Sequence, residues 1–523
     1  MDNSLVLTFD IGTQSARAVL VDKSGNILYI CQKQYDPPYY SKYPGWAEQR
    51  PDFYWEIICE CSKNVKEQAG ELWNNIVAVT ITTIRATGIC LDKDGNPLRD
   101  AIVWLDNRQA KCKEKLPAHM RALYRVAGLT STINLQRKAS QCNWIKENEP
   151  EIWAKTEYFV QLSAYLCFKM CGNIVDSDAS AVGRIPFDHK TRAWMKKSNP
   201  ARCIFDVKDS QLCKIVKPET IMGKVTAKAA EETGIAAGIP LIASGSDKSC
   251  ETLGLSVISN DKAALSFGTT ATINFSTDKY VEPEPYMPAY CSVVDGRWNP
   301  EKEVLRGYWL VSWFKREFAA KECMDAEAEG VSPEEILNRR LKEVPAGCNG
   351  LMLQPYFTAD TNRPFAKGAV IGFSDVHTRI HVYRAIIEGI NYCLYTGMRQ
   401  LEKRAKTKIK TLYAAGGGSQ SAEICQITAD MFGIPVVRTQ THEACGVGSA
   451  MVAFKALGYF KTYEEACAAM VQEKYRYEPN MELHRFYDHM NTDVFGKIFD
   501  KLLPIYHVAD RHCRHYGLDK FEK

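Results

Sequence analysis

The 523-residue chain is long enough for two to four ordinary domains, and its 66 lysines and arginines against 62 aspartates and glutamates leave a formal charge of only +4. That near-balance removes the electrostatic case for a nucleic-acid or anionic-membrane partner. The first residues lack a basic segment followed by an apolar core, and no apolar run approaches the length of a membrane span, so a cytoplasmic protein is expected. Nineteen cysteines are spread along the chain without a Cys-x-x-Cys pair, which points to reduced thiols rather than disulfides or structural zinc. His507, His512, Cys513 and His515 in the basic tail read as a solvated helix face rather than a metal site.

In chain order, Leu5–Phe9 predicts a buried strand and Arg17–Asp22 its antiparallel partner. Between them Gly12 lets the backbone approach a ligand, while Thr13, Gln14 and Ser15 offer donors to phosphate oxygens. Asp10, at the strand exit, is placed to hold a hydrated magnesium ion. Farther on, the apolar run Ile239–Ala243 ends in Gly245 and Ser246, so Asp247 sits where strand passes into helix. There it is either an N-cap or a base that takes the proton of an attacking hydroxyl.

The polar break Ser256–Lys262 suggests a boundary, giving domains 1–255 and 256–523. Ala263–Ser276 then repeats the strand, Gly-Thr turn, strand pattern, with Gly268, Thr269 and Thr270 at the bend. Two such hairpins imply a duplicated fold whose Gly-Thr turns face each other across a nucleotide cleft. Leu412–Ala415 reads as a strand running into Gly416, Gly417, Gly418 and Ser419 before a helix over 422–432, where bare backbone can meet a flat base or a phosphate. Glu443–Ala450 is rich in small residues, which favours close helix packing. The segment Glu482–Lys523 has helical periodicity and either packs back on the body or forms a subunit contact, the latter giving a homodimer.

Taken together the motifs resemble those of the FGGY carbohydrate kinases over most of the length. The resemblance rests on FDIGTQSARAVLVD (9–22), YPGWAEQRPDFYWE (43–56), LRDAIVWLDNR (98–108), GSDKS (245–249), the segment Lys367–Ile390 and AAGGGSQSAEICQITADMFGIPV (414–436). It implies two actin-like α/β domains of the ribonuclease H-like kind, each with a mixed five-stranded sheet, closing on ATP and Mg2+. Carried over by position, Asp10 would help hold magnesium. Gly12, Thr13, Gln14, Arg17, Gly268 and Thr269 would surround phosphates, and Gly416 to Ser419 would contact the adenosine. Asp247 would be the general base for transfer of the γ-phosphoryl group to a sugar hydroxyl, a pentulose being the first expectation. Glycerol, a tetritol, an autoinducer-like diol or a non-catalytic nucleotide switch are the alternatives.

Two departures from the family pattern bear on the substrate. Xylulokinases carry Gln-Met-His and glycerol kinases Gln-Arg-Glu where this chain has Ile84, Arg85 and Ala86. Arg85, and Lys248 beside Asp247, therefore either contact the substrate, favouring an anionic or carbonyl-bearing one, or pair with nearby carboxylates. In Arg306–Trp313, Tyr308 and Trp309 stand where relatives place a small glycine-containing turn, so that the turn is shifted by one residue, the nucleotide pocket is more crowded, or the aromatic bulk packs into the core.

Overall fold

The computed structural model describes residues 3–285, 287–358, 363 and 365–518. The ends of the two expected domains, 1–2 and 519–523, lie outside these residues. The chain forms two units. The first runs to Ser256 and is rejoined by Pro288–Trp298 and Ala444–Val471; the second takes Val257–Met287, Asn299–Glu443 and the chain from Gln472.

The first unit is built on a sheet of β1 (Leu5–Ile11), β2 (Ser15–Asp22), β3 (Ile27–Gln34), β4 (Ile76–Thr83), β5 (Ile221–Lys224) and β6 (Pro240–Ile242), in the order β3-β2-β1-β4-β6-β5. β1 is antiparallel to β2 and parallel to β4. All seven residues of β1 are buried, which is why it reads as an unbroken apolar run. Leu5, Leu7 and Phe9 belong to the core shared with the helices Pro51–Ala69 and Leu162–Cys171. The alternate residues face the other way, where Gly446 of the helix Ala444–Ala456 lies against Thr8 and Val19. Asp10 falls on that second face and pairs in register with Arg17 on β2 and Thr82 on β4.

A smaller sheet joins Glu48–Gln49, Ala101–Ile102, Gly88–Leu91 and Tyr158–Gln161. It interlocks two of the sequence motifs. The Arg108 guanidinium lies over Trp46 (3.7 Å to the ring centre) and Trp144 (4.6 Å), and donates to both oxygens of Asp106 and to Glu48 Oε1 at 2.9 Å. A buried arginine with that many acceptors and two aromatic faces is fully compensated.

The second unit repeats the arrangement. Its strands β7 (Lys262–Phe267), β8 (Ala271–Phe275), β9 (Glu301–Val304), β10 (Thr411–Ala415), β11 (Val436–Thr439) and β12 (Glu473–Tyr477) lie in the order β9-β8-β7-β10-β11-β12. Strand senses match the first sheet pair for pair: two antiparallel, two parallel, one antiparallel. Each sheet thus has six strands, not the five expected. The additional members, β5 and β12, are short, largely exposed edge strands whose sequences IMGK and EKYRY lack the apolar alternation that announces a strand.

A 27-residue helix, Arg379–Ala405, runs through the core of this unit. The C-terminal segment packs back on this unit: in the helix Met481–His489 Tyr487 donates to Glu388 Oε1 (2.8 Å), and Phe495, just before the helix Gly496–His515, stacks on Tyr392 (4.8 Å between rings). None of the nineteen cysteines forms a disulfide, and eleven are buried.

Candidate active site

The first hairpin turns through Gly12, Thr13 and Gln14. Gly12 is glycine for a local reason, since a Cβ there would stand 2.9 Å from the Ser15 carbonyl that accepts the Gly12 N–H at the same distance. Thr13 is partly exposed and Gln14 exposed. The Thr13 hydroxyl accepts a hydrogen bond from the Trp104 indole (2.9 Å), leaving its own proton to donate. Asp10 Oδ2 lies 3.8 Å from Arg17 Nη1, so a carboxylate and a guanidinium stand side by side at the strand exit.

Asp247 is the first residue of the helix Asp247–Gly254, and Ser246, not Asp247, occupies the N-cap position. Its side chain is 28% exposed, while Ser249 to Gly254 behind it are all buried. Asp247 Oδ1 accepts from the Lys248 backbone N–H (2.8 Å) and lies 3.9 Å from Arg85 Nε. The Asp247 carbonyl accepts from the Cys445 thiol at 3.4 Å. Lys248 reaches Glu251 Oε2 at 2.9 Å; burial acts to lower its pKa, but Glu251 and Asp247 outweigh that and hold it raised, so it stays charged. Both cations therefore have carboxylate partners, the second of the two expected outcomes: Lys248 pairs with Glu251, and Arg85 lies beside Asp247.

The helix carrying Asp247 is seated by glycine. A Cβ on Gly254 would come 1.9 Å from the Ala444 carbonyl, and one on Gly448 would come 1.9 Å from the Cys250 carbonyl, so this helix and Ala444–Ala456 touch backbone to backbone. The small residues of 443–450 serve packing, as their composition suggests. Across the same face Ser449 bonds to Thr80 of β4 (2.7 Å).

In the second unit Gly268 and Thr269 form the hairpin turn, with Thr269 exposed. The Gly268 and Thr269 carbonyls accept the N–H groups of Tyr308 (3.0 Å) and Trp309 (3.4 Å). Gly307 fits only without a Cβ, which would lie 2.3 Å from the Ala271 nitrogen. Tyr308 is a packing residue: its ring lies 5.1 Å from that of Phe267, and a Cβ on Gly418 would strike it at 2.3 Å. Gly416 adopts φ +82° against the Phe267 backbone, and the buried Ser419 hydroxyl donates to the Gly416 carbonyl at 2.7 Å. Gly417 differs, with nothing within 4 Å of where its Cβ would be. No neighbour in the protein requires glycine there, whereas a flat ligand lying on the turn would. The helix that follows, Ala422–Phe432, is capped by Ser421, whose hydroxyl accepts the Ile424 N–H.

Residues 5–254 match the N-terminal domain of the FGGY family of carbohydrate kinases, and residues 263–457 match its C-terminal domain. The chain belongs to that family. This FGGY kinase is 27% identical over 497 residues to a xylulose kinase of Staphylococcus epidermidis, covering 93% of this chain and 95% of that protein. It is 26% identical over 512 residues to a gluconokinase of Bacillus licheniformis, covering 96% and 95%. The solved xylulose kinase of Lactobacillus acidophilus superposes with a TM-score of 0.81 at 22% identity, covering 96% of this chain and 99% of that one, a likeness of fold. The fold is accordingly the two-domain actin-like ATPase fold, and the enzyme is a phosphotransferase that uses ATP with magnesium and a sugar hydroxyl as acceptor.

The residues fit that metal. Among the described residues no three or more His, Cys, Asp or Glu side chains gather as a metal cage, the tail histidines included. Magnesium that arrives with the nucleotide needs only one or two protein carboxylates beside phosphate and water, and Asp10, at the exit of β1, would be one. Among the described residues no helix is long and apolar enough to cross a membrane.

Trp104, Tyr290 and Cys445 also surround these groups and were not singled out in the sequence. Trp104 lies inside a recognised motif. Tyr290, whose ring lies 4.9 Å from the Arg85 guanidinium, carries no sequence signal, because it returns to the first unit from a distant segment.

Proposed function

We propose that this kinase phosphorylates a pentulose such as xylulose or ribulose, with Asp247 as general base. The observation that carries the assignment is the accessible Asp247 carboxylate at the head of an otherwise buried, glycine-seated helix. A sugar hydroxyl against Asp247 would lose its proton to the carboxylate as its oxygen attacks the γ-phosphorus, and the bond to ADP breaks in line. Arg17, Thr13 and Thr269 supply donors for phosphate oxygens, and Gly416 to Ser419 the surface for the adenosine. Magnesium bound by Asp10 and the phosphates would supply charge neutralisation during transfer. The pentulose is supported by the xylulose kinases among the relatives.

A second reading, a sugar acid, is favoured by one feature. Arg85 puts a guanidinium 3.9 Å from Asp247 where Ala86, the next residue, offers no hydrogen-bonding side chain. A fixed cation at that distance suits a carboxylate as well as a carbonyl.

The test is a coupled ADP-release assay with MgATP across D-xylulose, D-ribulose, D-gluconate, glycerol and erythritol. The highest kcat/KM is expected with a ketopentose. The highest value with gluconate would replace the first reading by the second, and the highest with glycerol or erythritol would overturn both.

A further inference from the structure

The hairpin Pro288–Trp298 leaves the second half of the sequence to join the first unit. Tyr290, half-buried, presents its ring to Arg85, whose guanidinium carbon lies 4.9 Å from the ring centre. His189 packs against the same ring in a T-shaped pair, 5.2 Å between centres and 78° between planes. His189 is fully buried, and burial pushes its pKa down to about 3, so that neighbour is a neutral ring.

The hairpin is fastened to the helix of Asp247 itself. Ser249 donates to the Cys291 carbonyl (3.4 Å) and accepts the Val293 N–H (2.8 Å), the two bonds bracketing the residues just after Tyr290. Gly245, two residues before Asp247, has no room for a Cβ, which would lie 2.5 Å from Val293 Cγ1. On the far side Arg192, paired through Nε and Nη2 with the two oxygens of Asp178 (2.8 and 2.7 Å), donates to the Ser292 carbonyl at 2.9 Å. Trp298 donates to the His189 carbonyl at 2.8 Å. The ring position is therefore set by the same framework that sets Asp247.

Arg85 needs such support. It precedes Ala86, which holds φ +53°, and the Ala86 backbone is clamped by the Val182 carbonyl (2.9 Å) and the Gln141 amide (3.0 Å). The clamp fixes the Arg85 backbone but leaves a long, flexible side chain whose rotamers have to be restricted before it can serve recognition. An aromatic face under a guanidinium does this, adding attraction and planarity without competing for its N–H donors.

We propose that Tyr290 is a positioning residue for the sugar site: its ring is the platform that holds the Arg85 guanidinium beside Asp247. The proposal rests on the reading of Arg85 as a substrate contact. Its working part is the ring face, so Tyr290→Phe keeps the function and Tyr290→Leu removes it.

The experiment is a double-mutant cycle on sugar KM, read with D-xylulose and with D-gluconate, using Arg85→Met, Tyr290→Leu and the pair. Arg85→Met is expected to raise sugar KM by about ten-fold or more, and Tyr290→Leu by about three- to ten-fold, with the KM for ATP unchanged. In the Arg85→Met background, Tyr290→Leu should add less than about two-fold. Tyr290→Phe should stay near the parent enzyme. If Tyr290→Leu does not fold, Tyr290→Met, of similar bulk without a π face, takes its place in the cycle. Equal effects of the Tyr290 change in both backgrounds, or no effect on sugar KM while Arg85→Met is impaired, overturn the platform alone. An Arg85→Met enzyme with unchanged sugar KM overturns the reading beneath it as well.

Discussion

Asp10 and Ser266 occupy the same place in the two hairpins, each one residue before the end of its strand, yet only the first carries a carboxylate. The duplicated backbone is therefore specialised by single residues, and these were the most legible part of the sequence. Asp10, Gly12, Thr13 and Asp247 stand beside motifs whose glycines and turns are read locally. Legibility ended where a partner comes from elsewhere: nothing near Arg85 in the sequence announces Tyr290. The same holds for Asp176, a buried carboxylate that accepts from Ser163 Oγ and the Ser177 N–H, both at 2.8 Å. Burial raises its pKa from the ordinary 3.8 to about 7. Because the folded value lies above the unfolded one, the native state keeps its proton longer. Stability from this group is full at low pH and is lost as pH rises from about 4 to about 7. Asp176→Asn can keep the Ser177 N–H bond on its oxygen and reverse the Ser163 bond, its NH2 donating to the Oγ, while it removes the titration. Its Tm relative to the parent should thus rise between about pH 4 and about pH 8; a difference that stays flat over that range would contradict the assignment.

Among elements, the hairpins, the strand before the three glycines and the small-residue helix were all readable, because each has a period or a turn chemistry of its own. The sixth strand of each sheet was not, since an exposed edge strand needs no apolar side. The backbone contact between Asp247–Gly254 and Ala444–Ala456 was half readable: the small residues signalled packing, but not against which helix. That contact gives a prediction. A Cβ at residue 448 cannot be relieved by moving a side chain, because the obstacles are the Cys250 carbonyl and the Gly254 nitrogen. Gly448→Ala should cost about 1–3 kcal/mol of stability by parting the helices. Since Asp247 rides on one of them, kcat should fall along with Tm. An unchanged Tm would show that the helices tolerate separation.

For the whole molecule, two sheets with one order and one set of strand senses make the duplication plain, and the sequence motifs carry it. What the sequence does not show is the path of the chain. Residues 288–298 and 444–471 return to the first unit after the chain has entered the second, so a boundary drawn once near Ser256 describes the first crossing alone. The consequence is functional, because both returning segments stand around Asp247: one brings Tyr290 to Arg85, the other the helix that seats the carboxylate. In the proposed reaction this carboxylate takes the proton of the sugar hydroxyl. The measurement that tests it most directly is substrate-dependent ADP release by Asp247→Asn beside the parent enzyme, with nucleotide binding and Tm recorded on the same samples. A kcat lower by about 10²–10⁴ is expected, with nucleotide affinity and Tm retained; an Asp247→Asn enzyme that turns over at the parental rate would rule out this role for the carboxylate.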